Sequence, residues 1–79
     1  MIEMKDLITN IAKALVDKPE EVMVTEIMSQ HTSVIELKVA KDDIGKVIGK
    51  HGRTAEAMRN ILMAASTKLR KRCILEILD

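Results

Sequence analysis

The stretch Ile44-Gly45-Lys46-Val47-Ile48-Gly49-Lys50-His51-Gly52-Arg53-Thr54 constrains this chain more than any other. A short apolar segment runs into Gly49-Lys50-His51-Gly52, and a long helical pattern begins straight afterwards. Glycines at this spacing let a backbone pack close to a ligand, because neither carries a Cβ. The N–H groups that open the next helix lack intrahelical partners and sit at its positive dipole end. Lys46, Lys50 and Arg53 add positive charge with no acid between them. The combination suits a phosphate backbone. Two glycines three apart can also be a bare turn; here the apolar pair Val47-Ile48 before them and the apolar helix face after them favour a ligand site.

Apolar periodicity places the remaining elements. Met4, Leu7, Ile8, Ile11, Ala12 and Leu15 recur at helical spacing, which predicts an amphipathic helix from about residue 2 to 17. Asp17-Lys18-Pro19 ends it, since the residue before a proline avoids the helical region. Glu21 to Met28 is rich in β-branched residues, and Ser33 to Ala40 alternates Ile35, Leu37 and Val39 against Glu36 and Lys38. Between them, Ser29-Gln30-His31-Thr32 is short and polar enough for a hairpin. Asp42 or Asp43 is the expected N-cap of a short helix through Ile48. A third helix follows from Arg53 to Leu69 and a last strand from Arg72 to Leu78, with Cys73, Leu75 and Ile77 on one face. The expected fold class is α+β, in the order α-β-β-α-α-β, with a three-stranded sheet packed on one face by three helices.

A chain of 79 residues has room for one domain spanning 1–79 and one core. Its formal charge of +1 is unevenly spread. Residues 1–40 hold 4 Lys+Arg and 7 Asp+Glu, a net of −3; residues 41–79 hold 9 and 5, a net of +4. The basic surplus lies in the half with the glycine loop, as an electrostatic footprint requires. The single cysteine, Cys73, cannot form an internal disulfide, and neither a signal peptide nor a long apolar span is recognisable, so a cytoplasmic protein is expected. His31, His51 and Cys73 do not make a metal spacing, and Asp42-Asp43 reads as a cap rather than a catalytic pair. The methionines read as core filler. No nucleophile–base pairing stands out, so neither an enzyme nor a cofactor is expected.

The residues 43–53, with Met58, Ile61, Leu62, Ala65 and Leu69 behind them, resemble the G-x-x-G loop and following helix of the KH domain, a clamp for single-stranded RNA or DNA. Ala55 departs from that pattern, which usually has a larger aliphatic residue there. The element order resembles the type II KH fold, and the whole chain resembles the small stand-alone bacterial KH proteins of the KhpA type. The resemblance implies single-stranded RNA binding, RNA chaperone or post-transcriptional regulatory activity, self-association, and pairing with a larger KH-containing partner of the Jag type. It also implies a link to cell elongation and peptidoglycan homeostasis. The RNA contact falls on Ile44, Gly45, Lys46, Val47, Ile48, Gly49, Lys50, His51, Gly52 and Arg53. Within it, Gly49 and Gly52 allow backbone approach, Lys46, Lys50 and Arg53 meet phosphates, and His51 either donates a hydrogen bond or faces water. Gly45 lets the ligand pass close to the short helix; otherwise it is a plain helical glycine, worth about 1 kcal/mol less than alanine. Two rivals remain: a protein-interaction module with an unused clamp, and a single-stranded DNA-binding domain.

With no Phe, Tyr or Trp in the chain, bases cannot stack on aromatic platforms. The groove floor is expected to be Ile44 or Val47, with Leu37 or Lys38 opposite. One domain should then bind weakly, with useful affinity requiring two linked domains. The third helix suggests how they join. Met58, Leu62, Ala65 and Leu69 form the stripe that covers the sheet, and Ala57, Ile61 and Ala64 form a second apolar stripe beside it. That second stripe predicts a homodimer through Ala57, Ile61 and Ala64, against the alternative that Ile61 is core at the sheet edge. The cluster Lys68, Arg70, Lys71 and Arg72 reads as a solvated helix end complementing the dipole, or as a second RNA contact.

Overall fold

The computed structural model describes residues 3–79, apart from the side chain of Leu69. Three α-helices and three strands follow the expected order: α1 Met4–Leu15, β1 Met23–Met28, β2 Thr32–Lys38, α2 Ile44–Ile48, α3 Arg53–Leu69 and β3 Arg72–Ile77. Short 3-10 turns precede β1, α2 and α3. The start expected for the first helix at residue 2 lies outside the described residues. Its end comes at Leu15, where Val16 turns extended ahead of Pro19. Because Pro19 opens a 3-10 turn, β1 begins two residues later than its composition suggests.

Strand order, which periodicity cannot supply, is β1-β2-β3. β1 and β2 form an antiparallel hairpin, with the Ser29 N–H donating to the Thr32 carbonyl at 2.8 Å across the turn. β3 runs parallel to β2, pairing Ile35 with Leu75 and Leu37 with Ile77. A parallel return needs a crossover, and α2, the glycine loop and α3 supply it. The glycine loop is therefore built into a covalent bridge whose two ends are pinned to adjacent strands.

All three helices pack on one face of this mixed sheet. Ile8 and Ala12 from α1, Val24, Ile35, Leu37 and Leu75 from the strands, Val47 from α2 and Met58 and Leu62 from α3 make one aliphatic core. Ala55 is buried too, at the position where the KH pattern carries a larger residue. The other face is open to solvent. There, register sets Ile27 beside Val34, Val34 beside Ile74, and Glu36 beside Glu76.

Candidate nucleic-acid interface

The short helix α2 is held by one side chain. Val47 has no accessible surface and docks into the core, while Gly45, Lys46 and Ile48 remain exposed. Of the alternatives for the groove floor, Val47 and Leu37 are fully buried and serve the core, which leaves Ile44 and Lys38. The accessible apolar atoms beside the loop come from Ile44, which is half-buried, and Ile48. A Cβ added at Gly45 would meet nothing within 4 Å, so the space over this turn is open.

After α2 the backbone changes hand. Gly49 adopts φ 79°, ψ 170°, a region open essentially to glycine alone. A Cβ there would run into the Thr54 side chain and come within 2.9 Å of its backbone nitrogen. The fold by itself requires glycine at position 49, because the loop folds onto the first turn of α3. His51 (φ 58°) and Gly52 (φ 73°) then take two successive left-handed steps. Nothing lies within 4 Å of a Cβ added at Gly52, so this is the glycine whose missing side chain leaves room outside. The loop closes on itself as the Gly52 N–H donates to the Gly49 carbonyl at 3.0 Å and the Arg53 N–H to that of Lys50. Among the described residues, the Lys50 and His51 N–H groups have no backbone acceptor. Lys50, His51 and Arg53 are all exposed at the rim.

The three cations are not equivalent. Lys46 Nζ lies 2.9 Å from Asp17 and 3.2 Å from Asp43. Among the described residues, Lys50 and Arg53 are in no ion pair. Lys46 thus ties α2 to the end of α1 with its charge already compensated.

Asp43 is the centre of that tie. By position it is the N-cap of α2, as expected, yet its carboxylate makes no capping bond there. It accepts instead from the backbone N–H groups of Asp17 (3.3 Å) and Lys18 (3.0 Å). Those groups fall where the chain breaks from α1 toward Pro19, and the carboxylate supplies the acceptor that the helix no longer provides there. Burial of the Asp43 carboxyl pushes its pKa up. The Lys18 and Asp17 N–H groups and the Lys46 ammonium outweigh burial and hold it below the usual carboxylate value. Lys46 is raised in turn, first by its bond to Asp17 and then by that to Asp43. Pattern reading could not foresee this cluster, because Asp17 and Asp43 belong to separate elements. An aspartate just ahead of a short helix is the available signal.

The second apolar stripe on α3 stands apart from the core. Ile61 is 42% exposed, and Ala57 and Ala64 are exposed beside it, while Met58 and Leu62 are buried. Leu69, expected on the core stripe, lies outside the described side chains. Among the described residues no group of three or more His, Cys, Asp or Glu is placed to hold a metal ion, and no helix is long and apolar enough to cross a membrane.

A family model described as "KhpA/KhpB, KH domain" matches residues 5–77. The chain is 51% identical to RNA-binding protein KhpA of Aquifex aeolicus over 79 residues, 100% of each chain. It is 53% identical to that of Caldanaerobacter subterraneus subsp. tengcongensis over 75 residues, 95% of this chain and 100% of the relative. Against that of Clostridium perfringens, identity is 49% over 75 residues with the same coverage. No solved structure matches at a significant level. Full-length similarity, the α-β-β-α-α-β order and the left-handed glycine loop agree: this chain belongs to the KhpA/KhpB KH-domain family.

Proposed function

We propose that this protein binds single-stranded RNA on the loop Gly49–Gly52 and acts as an RNA chaperone or post-transcriptional regulator in the cytoplasm. The observation that carries the reading is the loop geometry. Lys50 and His51 stand at the rim; among the described residues their N–H groups have no backbone acceptor and Arg53 is in no ion pair, and the surfaces over Gly45 and Gly52 are open. The relatives named as RNA-binding proteins support RNA as the ligand. Phosphates lie against Lys50 and Arg53, and bases against Ile44, Ile48 and the open turn at Gly45. Lys46 contributes by fixing α2 under the ligand. No step of covalent chemistry belongs to this reading.

The active unit is a homodimer joined through Ala57, Ile61 and Ala64, whose exposure on α3 leaves an apolar stripe uncovered in the single chain. The family resemblance extends the proposal to a larger KH-containing partner of the Jag type and to cell elongation and peptidoglycan homeostasis. Replacing Lys50 and His51 together by Asp tests the clamp. The double variant keeps native-like circular dichroism, because loop residues carry little of the fold, and loses RNA crosslinking. Undiminished crosslinking would move the site elsewhere. Titration with RNA and DNA oligomers of matched sequence separates this reading from its rivals: DNA preference favours the DNA-binding module, and no binding of either at low salt favours an interaction module.

A further inference from the structure

The glycine loop follows a helix with few attachments. α2 is five residues long, and Val47 is its only fully buried side chain, with Ile44 half-buried at its start. So narrow a grip on the core sets where the helix sits more firmly than how it is tilted. The tilt needs a second attachment, and Asp17, Asp43 and Lys46 provide one. They join the residue just ahead of α2 and the third residue within it to the chain leaving α1. Any tilt of α2 is passed on to Gly49, two positions beyond Val47.

The two acids of this cluster stand in different surroundings. The Asp43 side chain is 2% exposed and accepts from the N–H groups of Asp17 and Lys18 and from the Lys46 ammonium. Opening that arm would strand a buried charge, so it stays made. The Asp17 side chain is 77% exposed, and its carboxylate meets Lys46 at 2.9 Å. An exposed ion pair contributes little to stability and opens readily.

That difference bears on the ligand. Two carboxylates and one ammonium leave the cluster with a net charge of −1, beside the open turn at Gly45 and next to a loop suited to phosphates. An ammonium has several donors; Asp43 takes one, and Asp17 occupies another that a phosphate oxygen could take. We infer that this cluster tunes the nucleic-acid loop from outside it. Asp43 is a positioning residue that sets the orientation of α2 and the loop, and Asp17 is an internal competitor that withholds Lys46 from the phosphate backbone. The two acids therefore act on affinity with opposite sign.

The inference rests on the RNA-binding reading above, and one titration series separates the two. Full-length protein is titrated across salt concentrations with oligouridine of about four nucleotides, the length a KH groove clamps. Asp17→Asn keeps the fold and binds about threefold more tightly at low salt, a gain that fades as salt rises. Its slope of log K on log salt steepens from about −1.4 to about −2.1, one further contact at about 0.7. Asp6→Asn alters the net charge equally from the first turn of α1 and leaves the slope unchanged. Lys46→Met combined with Asp17→Asn also keeps the wild-type slope, because the released ammonium is gone. Asp43→Asn removes a negative charge too, so charge alone predicts tighter binding. As a positioning variant it instead binds more weakly while still folded by circular dichroism, and it shifts the amide resonances of Lys50, His51 and Gly52. An unchanged slope in Asp17→Asn, an equal steepening in Asp6→Asn, or a wild-type slope already near −2.1 overturns the competitor role. Asp43→Asn that binds as tightly as Asp17→Asn, or that leaves the loop amides in place, overturns the positioning role. No binding by the wild type at low salt removes the RNA-binding reading and the inference with it.

Discussion

Gly49 and Gly52 have the same spacing role in the motif but different physical reasons for being glycine. At Gly49 an alanine would sit in a backbone region costing about 1–3 kcal/mol and would also meet the Thr54 backbone. At Gly52 it would meet nothing and carry only the left-handed penalty of about 1–2 kcal/mol. Urea denaturation of the two variants should therefore rank Gly49→Ala as the more destabilised; the reverse order would mean that the loop does not rest on Thr54. Asp43 sets a second prediction at this scale. Its carboxyl is held below its ordinary value, so its stabilisation is present above the usual carboxylate pKa of about 3.9 and is lost as pH falls through the lower folded value. Lys46, raised, stabilises fully below about 10.4 and loses that effect as pH climbs through its higher folded value. Thermal melts from neutral to acid pH should show an acid limb that Asp43→Asn flattens while lowering the melting temperature at neutral pH. An unaltered acid limb in that variant would assign the effect to other carboxylates.

Among the elements, α3 is the one whose three faces do different things. Met58 and Leu62 are buried against the sheet, Ile61 lies at the flank of that face and is 42% exposed, and Arg59 and Met63 border a cleft with β3. Neighbouring positions should accordingly respond in opposite ways. Leu62→Ala removes a fully buried side chain and should cost about 2–5 kcal/mol. Ile61→Asp places a charge on a surface already half open to water, so it should keep the fold and give a monomer by light scattering. An Ile61→Asp protein that unfolds, or wild type that is monomeric at high concentration, would remove Ile61 from the proposed interface. The helix ends at Arg70 in the left-handed conformation that glycine usually takes, with the Arg70 and Lys71 N–H groups both donating to the Ser66 carbonyl. That sharp stop sends the chain directly into β3 and brings Arg72 beside the helix.

At the scale of the whole molecule, electrostatics follows the architecture more than the net charge of +1. The acidic N-terminal half supplies Asp17, which with Asp43 compensates Lys46, while cations in the C-terminal half gather at both ends of α3. Counting charges along the motif gives three phosphate contacts and a salt slope of about −2; the structure leaves two, Lys50 and Arg53, and a slope of about −1.4 for a ligand confined to the loop. Titration of a short oligomer across salt concentrations decides between them. A slope near −2 would mean that Lys46 leaves its acids to meet the ligand, and a slope near zero that the backbone contacts are misassigned.

Local physics was legible in the sequence by itself. Helix and strand order, the span of α3, the hairpin, the loop at Gly49–Gly52 and the separation of Ile61 from Met58 and Leu62 follow from periodicities and from glycine and proline, which act within a few residues. What only the tertiary structure decided involves partners far apart in sequence. Asp43 was readable as a cap but not as the acceptor for the N–H groups of Asp17 and Lys18. Lys46 was readable as a cation but not as a compensated one. Val47 and Leu37 were apolar and near the site, yet only packing decides that they face inward. Arg59 and Arg72 are thirteen positions apart and both line one cleft because α3 lies along β3. A one-dimensional pattern carries the preferences of each segment; which side chains then meet depends on how the crossover is folded back onto the sheet.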